Sequence, residues 1–341
     1  MKSLCILLAL ATLAPAQTKP LRATFIDVEG GQSTLFVTPL GESLLIDAGW
    51  PGHEARDANR IATAAKKLGL TRIDYVLITH FHDDHVGGVA QLVQQIPIGT
   101  FIDHGEYREK TDKVAALYAA YQKVIADTHA HHLIAKPGDI LPIKGMDATI
   151  LSADGNLIPN RDLVPRATAT SSLPNPLCAS TPAPPADTTE NSRSLGIKIT
   201  FGSFSLLDLG DLTSDKEYDL VCPTNRIGTV DLLVVSHHGW YQSSSPIFLH
   251  ALHPRVAIMD NGETKGGSIP VLDTMLHSPG LEDLYQLHYS AEGAATHNTK
   301  PENIANPQGP DAAHPIELAA QPNGAFTVTN PRTATTTTYR K

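Results

Sequence analysis

Apolar residues along the chain gather in short runs bounded by glycine, proline and aspartate, and several of the runs stop at a metal-binding type of side chain. Strand-like runs stand near 22 to 28, 33 to 38, 43 to 47, 74 to 79 and 98 to 102, and resume at 195 to 201, 203 to 209, 230 to 236 and 255 to 260. Leu232-Leu233-Val234-Val235 is apolar without alternation, the pattern of a strand buried on both faces. Helices are predicted near 57 to 68 and 88 to 95, around 246 to 252, and over 111 to 130, where Val114, Leu117, Tyr118, Tyr121 and Ile125 recur at roughly three- and four-residue intervals. That last helix either packs on a sheet or flanks a substrate cleft. Strands interleaved with helices predict a layered α/β architecture.

The pattern also marks segments with no core of their own. From roughly 156 to 192 the composition turns to Pro, Ser, Thr, Asn and Ala, which reads as a surface insertion or mobile loop. After about 291, only Gly324-Ala325-Phe326-Thr327-Val328-Thr329 suggests an edge strand; the rest reads as loop or tail. At the other end, Lys2, the apolar run Leu4 to Leu13 and Ala14-Pro15-Ala16 form a secretory signal peptide cleaved after Ala16. The expected organisation is therefore a signal peptide over 1–16, one domain over 17–295 carrying the insertion, and an extension over 296–341 that is largely loop. No later stretch reaches transmembrane length, so an exported protein, periplasmic or extracellular, is expected, without a transmembrane anchor after cleavage. Export would leave Cys178 and Cys222, free to pair in an oxidising compartment or to remain thiols.

The net charge of −9, with no Lys/Arg run, argues against a general nucleic-acid binder and leaves nucleic acid possible only as a substrate. A small-molecule or phosphodiester substrate is expected, and no protein partner can be inferred.

The chemistry concentrates in Thr79-His80-Phe81-His82-Asp83-Asp84-His85-Val86-Gly87-Gly88, directly after the apolar run Tyr75-Val76-Leu77-Ile78. Imidazole and carboxylate are usual zinc ligands, and an open position on such an ion turns water into a nucleophile near neutral pH. His80 and His82, two apart in an extended segment, can grip one ion, while the following turn lets Asp84 and His85 face a second. Two later apolar runs close on Leu209-Gly210-Asp211, whose carboxylate can bridge two cations, and on Ser236-His237-His238-Gly239. Ligands of layered α/β proteins collect where loops leave the sheet, which makes the repetition informative.

These segments, with Leu45-Ile46-Asp47-Ala48-Gly49 before them, resemble the metallo-β-lactamase superfamily. The opening Phe25-Ile26-Asp27-Val28-Glu29-Gly30-Gly31-Gln32-Ser33 is similar to the start of its ComEC/Rec2-type hydrolase branch, although Glu29-Gly30-Gly31 replaces a single glycine and Ser33 another. The resemblance runs over roughly residues 22 to 290 and implies a four-layered αββα sandwich. It implies His80 and His82 on one zinc, Asp84 and His85 on a second, Asp211 between them, and His104 completing the first site. His131 and His132, the competitors, follow the predicted helix and read as capping or surface residues. His238 is expected as the second-site ligand with His237 as proton donor or substrate contact, the sequence also allowing the reverse. Asp84 would both bind metal and orient the nucleophile; Asp47, and similarly Asp27, would fix a ligand histidine from behind. His288 is a weaker candidate for protonating the leaving group.

The expected cofactors are two Zn²⁺, with Mn²⁺ as a substitute. The implied activity is metal-dependent hydrolysis of a phosphodiester; hydrolysis of a lactam, lactone or thioester, and a nonenzymatic zinc-stabilised binding module, are the alternatives.

Overall fold

The computed structural model describes residues 19–159 and 174–341; the signal-peptide reading of 1–16 lies outside the described residues. Two sheets pack face to face. The first runs in the order Thr335–Tyr339, Phe326–Asn330, Ile316–Ala320, Leu21–Phe25, Thr34–Val37, Ser43–Ile46, Ile73–Leu77, Ile98–Asp103 and His131–Ile134. The second runs Ile304–Asn306, Asp283–His288, Val256–Met259, Leu232–Val234, Phe204–Asp208, Gly196–Phe201, Asp147–Ala153 and Asn156–Leu157.

The strands sort their side chains by parity. Phe204 and Leu206 enter the layer between the sheets, as do Leu232 and Val234, whereas Leu207 and Leu233 face the outer layer of helices Ser214–Val221, Pro246–Leu252 and Ile269–Leu276. On the other outside face, Ala58, Ile61, Ala62 and Ala65 of helix Arg56–Lys67 and Val114 and Tyr121 of helix Asp112–Thr128 are buried. Helix Asp112–Thr128 starts at Thr111, whose side chain accepts from the Val114 amide, and its buried face packs on the first sheet. The result is an αββα sandwich, the layer order that the resemblance implies.

Three sequence expectations need correction. The helix near 88 to 95 is two single turns, Asp83–Val86 and Val89–Leu92. Gly87 and Gly88 separate them because the backbone passes too close to its neighbour for a side chain: a Cβ on Gly88 would lie 2.0 Å from the Ala48 carbonyl oxygen. The 296–341 segment is not largely loop. Its strands Ile316–Ala320, Phe326–Asn330 and Thr335–Tyr339 extend the first sheet, with Ile316–Ala320 antiparallel to Leu21–Phe25, and Phe326–Asn330 is an interior strand. The 156–192 stretch is no mere surface loop where it is described: Glu190, Asn191 and Ser192 are buried, and Cys178 is disulfide-bonded to Cys222.

What positions the site is strand direction. Ser43–Ile46, Ile73–Leu77 and Ile98–Asp103 are mutually parallel in the first sheet, as are Phe204–Asp208, Leu232–Val234, Val256–Met259 and Asp283–His288 in the second. Asp47, His80, Asp103, Asp211, His238 and Asp260 all follow or end the carboxyl ends of these strands. The edges are tied across the sandwich, where the Leu195 backbone amide donates to the Thr79 carbonyl at 2.8 Å and the Gln32 side-chain Nε2 donates to both oxygens of Asp208 at 2.9 and 2.8 Å.

Candidate metal centre

Asp84, His85, Asp211 and His238 are buried, and one donor atom from each lies within 4.8 Å of all the others. His80 and His82 form the adjoining pair, with His80 Nε2 and His82 Nδ1 3.1 Å apart. Asp211 stands between the two sets: its Oδ2 is 3.3 Å from His85 Nε2 and 3.9 Å from His80 Nε2, and its Oδ1 is 3.3 Å from His238 Nε2. That Oδ1 is buried without a well-aligned hydrogen bond. A buried carboxylate oxygen facing imidazole nitrogens fits a bound cation, so the donor set suits the metals that the sequence implies.

The imidazoles of His80, His82 and His85 are held from their far sides, which fixes the nitrogen each presents. His85 Nδ1 meets Asp47 Oδ2 at 2.7 Å, and Asp47 is itself held by the Thr79 amide and hydroxyl. His82 Nε2 meets Glu109 Oε2 at 3.2 Å. His80 Nδ1 lies 3.1 Å from Thr79 Oγ1 and 3.4 Å from Ser194 Oγ. His238 Nδ1 faces Asp260 Oδ1 at 3.5 Å. The nitrogens left facing inward are His80 Nε2, His82 Nδ1, His85 Nε2 and His238 Nε2.

His237 and His238 both adopt left-handed backbone, at φ 57° and 54°, which turns two successive side chains toward the same cavity. They play different parts in the geometry. His238 sits in the four-donor group, fully enclosed; His237 is partly exposed, with Nε2 3.4 Å from Asp211 Oδ2 and 3.3 Å from the Asn191 amide nitrogen.

His104 does not join His80 and His82 in a three-donor group among the described residues. Its Nε2 faces Glu190 Oε1 at 3.0 Å and its ring centre lies 4.8 Å from that of Phe81. Asp27 is also displaced from its expected place: it holds His288 Nε2 at 2.7 Å and Arg60 Nη1 at 3.1 Å, so neither Asp27 nor His288 is turned to the metal centre. His132 lies on a strand, 2.6 Å from Asp103 Oδ2, and His131 is exposed beside it.

The electrostatics follow the crowding. Burial works against ionising Asp84 and Asp211, yet the histidines around them, and Lys265 beside Asp84, hold both carboxyls well below the usual range. Burial opposes protonation of His85 too, but Asp211, Asp84 and Asp47 outweigh it and raise its pKa. Burial pushes His237 down to about 4, leaving a neutral imidazole at pH 7. A neutral ring can donate or accept a hydrogen bond.

Sequence reasoning missed Glu109, Glu190, Asn191, Ser194, Asp260 and Lys265. Asp260 had a usable signal, since it closes an apolar run as Asp47 does. Glu190 to Ser194 sit at the end of a polar, low-complexity stretch that carries no periodicity.

Residues 26–173 match the family model described as the metallo-β-lactamase superfamily. Over 272 residues the chain is 22% identical to ComE operon protein 3 of Bacillus subtilis (strain 168), covering 76% of this chain and 30% of that protein. Over 83 residues it is 37% identical to an atrochrysone carboxyl ACP thioesterase of Passalora fulva, covering 24% and 23%. The chain thus spans less than a third of the length of either relative. A metallo-β-lactamase of Cronobacter sakazakii superposes with a TM-score of 0.36 at 16% identity, over 61% of this chain and 75% of that one. No helix among the described residues is long and apolar enough to cross a membrane.

Proposed function

We propose that this protein is an exported dimetal hydrolase acting on a phosphodiester. The observation that carries the dimetal part is the position of Asp211, whose Oδ2 lies between His85 Nε2 at 3.3 Å and His80 Nε2 at 3.9 Å while its Oδ1 faces His238 Nε2 at 3.3 Å. His80 and His82 would hold one ion, Asp84, His85 and His238 the other, and Asp211 both. Two zinc ions, or manganese in their place, supply a water of lowered pKa and positive charge to offset the oxyanion that develops.

The chain's own groups do the rest. Asp47 and Glu109 keep the His85 and His82 imidazoles in one tautomer and orientation, and Asp260 faces His238 at 3.5 Å. Asp84 has a second oxygen with which to orient the attacking water. His237, neutral and at the rim, offers a hydrogen bond to the substrate. The phosphodiester assignment is supported by the ComEC-type opening around Gln32, a residue that is buried and bonded to Asp208 beneath the site. The segment matching a thioesterase favours thioester hydrolysis as the second reading.

The test is hydrolysis of bis(p-nitrophenyl) phosphate by zinc- or manganese-loaded protein, with Asp84→Ala/His85→Ala as the blank. Asp211→Ala should lower metal stoichiometry and activity together, by a hundredfold or more in rate on the order expected for a lost metal. Wild-type metal content and turnover in that variant would remove Asp211 from the site, and turnover of an acyl thioester in place of the diester would select the second reading.

A further inference from the structure

We infer that Lys265 anchors the anionic group of the substrate at the mouth of the metal centre, its ammonium holding a non-bridging phosphate oxygen. The inference rests on the proposed phosphodiester reading for the identity of the anion, and on geometry for the existence of the anchor.

Lys265 lies in the loop after strand Val256–Met259, and that loop is fastened to the backbone of the metal-site turn. The Gly267 amide donates to the His238 carbonyl at 2.8 Å, the Ser268 amide donates to the Gly239 carbonyl at 3.0 Å, and the Gly262 amide closes the loop on the Lys265 carbonyl at 2.8 Å. Gly266, at φ +72°, passes so close that a Cβ would lie 2.1 Å from the His238 oxygen. The lysine is therefore set at a fixed place relative to His238, unlike a lysine on a free surface loop.

Its side chain reaches from its own loop to the Gly30 segment and to Asp84. Nζ donates to the Gly30 carbonyl at 2.7 Å, meets Asp84 Oδ2, and lies 5.4 Å from the centre of the Trp50 ring. An ammonium has three N–H donors, and these two contacts use two of them. The side chain is 36% exposed, and the third donor is the one an anion would take. Asp84 has partners besides this lysine, since it lies in the same short turn as His85 and its Oδ2 also faces His85 Nε2 and His238 Nε2 at 3.3 and 3.2 Å. In a chain of net charge −9, a fixed cation beside the cleft gives an anion a local partner that the molecule as a whole does not.

The experiment compares the full-length wild type, Lys265→Met and Lys265→Arg, each loaded with zinc. Metal content is measured by elemental analysis, inorganic phosphate binding by calorimetric titration, and KM and kcat with bis(p-nitrophenyl) phosphate. Lys265→Met should keep its metals, bind phosphate about ten- to a hundredfold more weakly and raise KM more than it lowers kcat, while Lys265→Arg recovers most of the affinity. Equal phosphate affinity in wild type and Lys265→Met overturns the anchor, as does a wild type that binds no phosphate. Loss of metal from Lys265→Met also overturns it, by making the lysine a support for Asp84. Weakened phosphate binding with no diester turnover in any variant sustains the anchor and rejects the phosphodiesterase reading alone.

Discussion

At the scale of single residues, the site works by giving neighbouring side chains opposite tasks. His237 and His238 are adjacent in sequence and share the same backbone twist, yet one is enclosed among Asp84, His85 and Asp211 and the other reaches the rim beside Asn191. Replacing His237 with alanine should leave both metals bound and lower kcat/KM by roughly ten- to a hundredfold, the worth of one hydrogen bond to a charged group. Elemental analysis beside steady-state kinetics checks this, and loss of one ion per chain would exchange the roles of the two histidines.

At the scale of elements, helix Ser214–Val221 fastens the turn that follows those histidines. Glu217, fully buried, accepts from the Ser244 amide at 3.0 Å and the Ser245 amide at 3.3 Å. Burial pushes its pKa up to about 7 despite these donors. A carboxyl whose folded pKa is raised binds its proton more tightly in the native state. Its contribution is complete below about 4.5 and is lost as pH rises through about 7, a change of roughly 3 kcal/mol. Chemical denaturation of wild type and Glu217→Gln across pH 4 to 8, about the span of that shift, should show a falling stability in the first and a flatter profile in the second. Parallel profiles would remove Glu217 as the cause.

The elements also show where sequence pattern fails. The strands whose carboxyl ends carry ligands are apolar and bounded by glycine or aspartate, so the segments from 43 to 47, 74 to 79, 203 to 209 and 230 to 236 were legible. Helix Ser214–Val221 was not, because SDKEYDLV is mostly polar and buries only Glu217, Leu220 and Val221. Strand Thr335–Tyr339 was not, because its threonines are largely exposed and only Tyr339 is buried. In both, long-range packing decides the conformation and local hydrophobic period is weak.

At the scale of the whole molecule, the last strands complete the sandwich. Ile316, Leu318, Phe326, Val328 and Tyr339 fill the layer between the sheets, and at about 1.5–3 kcal/mol for each buried large side chain their sum rivals the total stability of an ordinary domain. Removing residues 316 to 341 should therefore abolish cooperative unfolding and drive the protein into aggregates through the uncovered edge of strand Leu21–Phe25. A soluble truncated chain with a wild-type melting transition would show that these strands are dispensable.

The sequence by itself determined the strand runs, the layered α/β class and the donor types, because strand burial leaves apolar runs and metal binding leaves imidazole and carboxylate at their ends. The αββα order was legible only through the resemblance. Tertiary structure alone decided that Glu109, Asp260 and Ser194 stand behind the imidazoles, that His104 turns to Glu190, and that Lys265 meets Asp84. These are contacts between residues far apart in the chain, set by which strand ends the two sheets bring to one edge, and no local pattern encodes such a meeting.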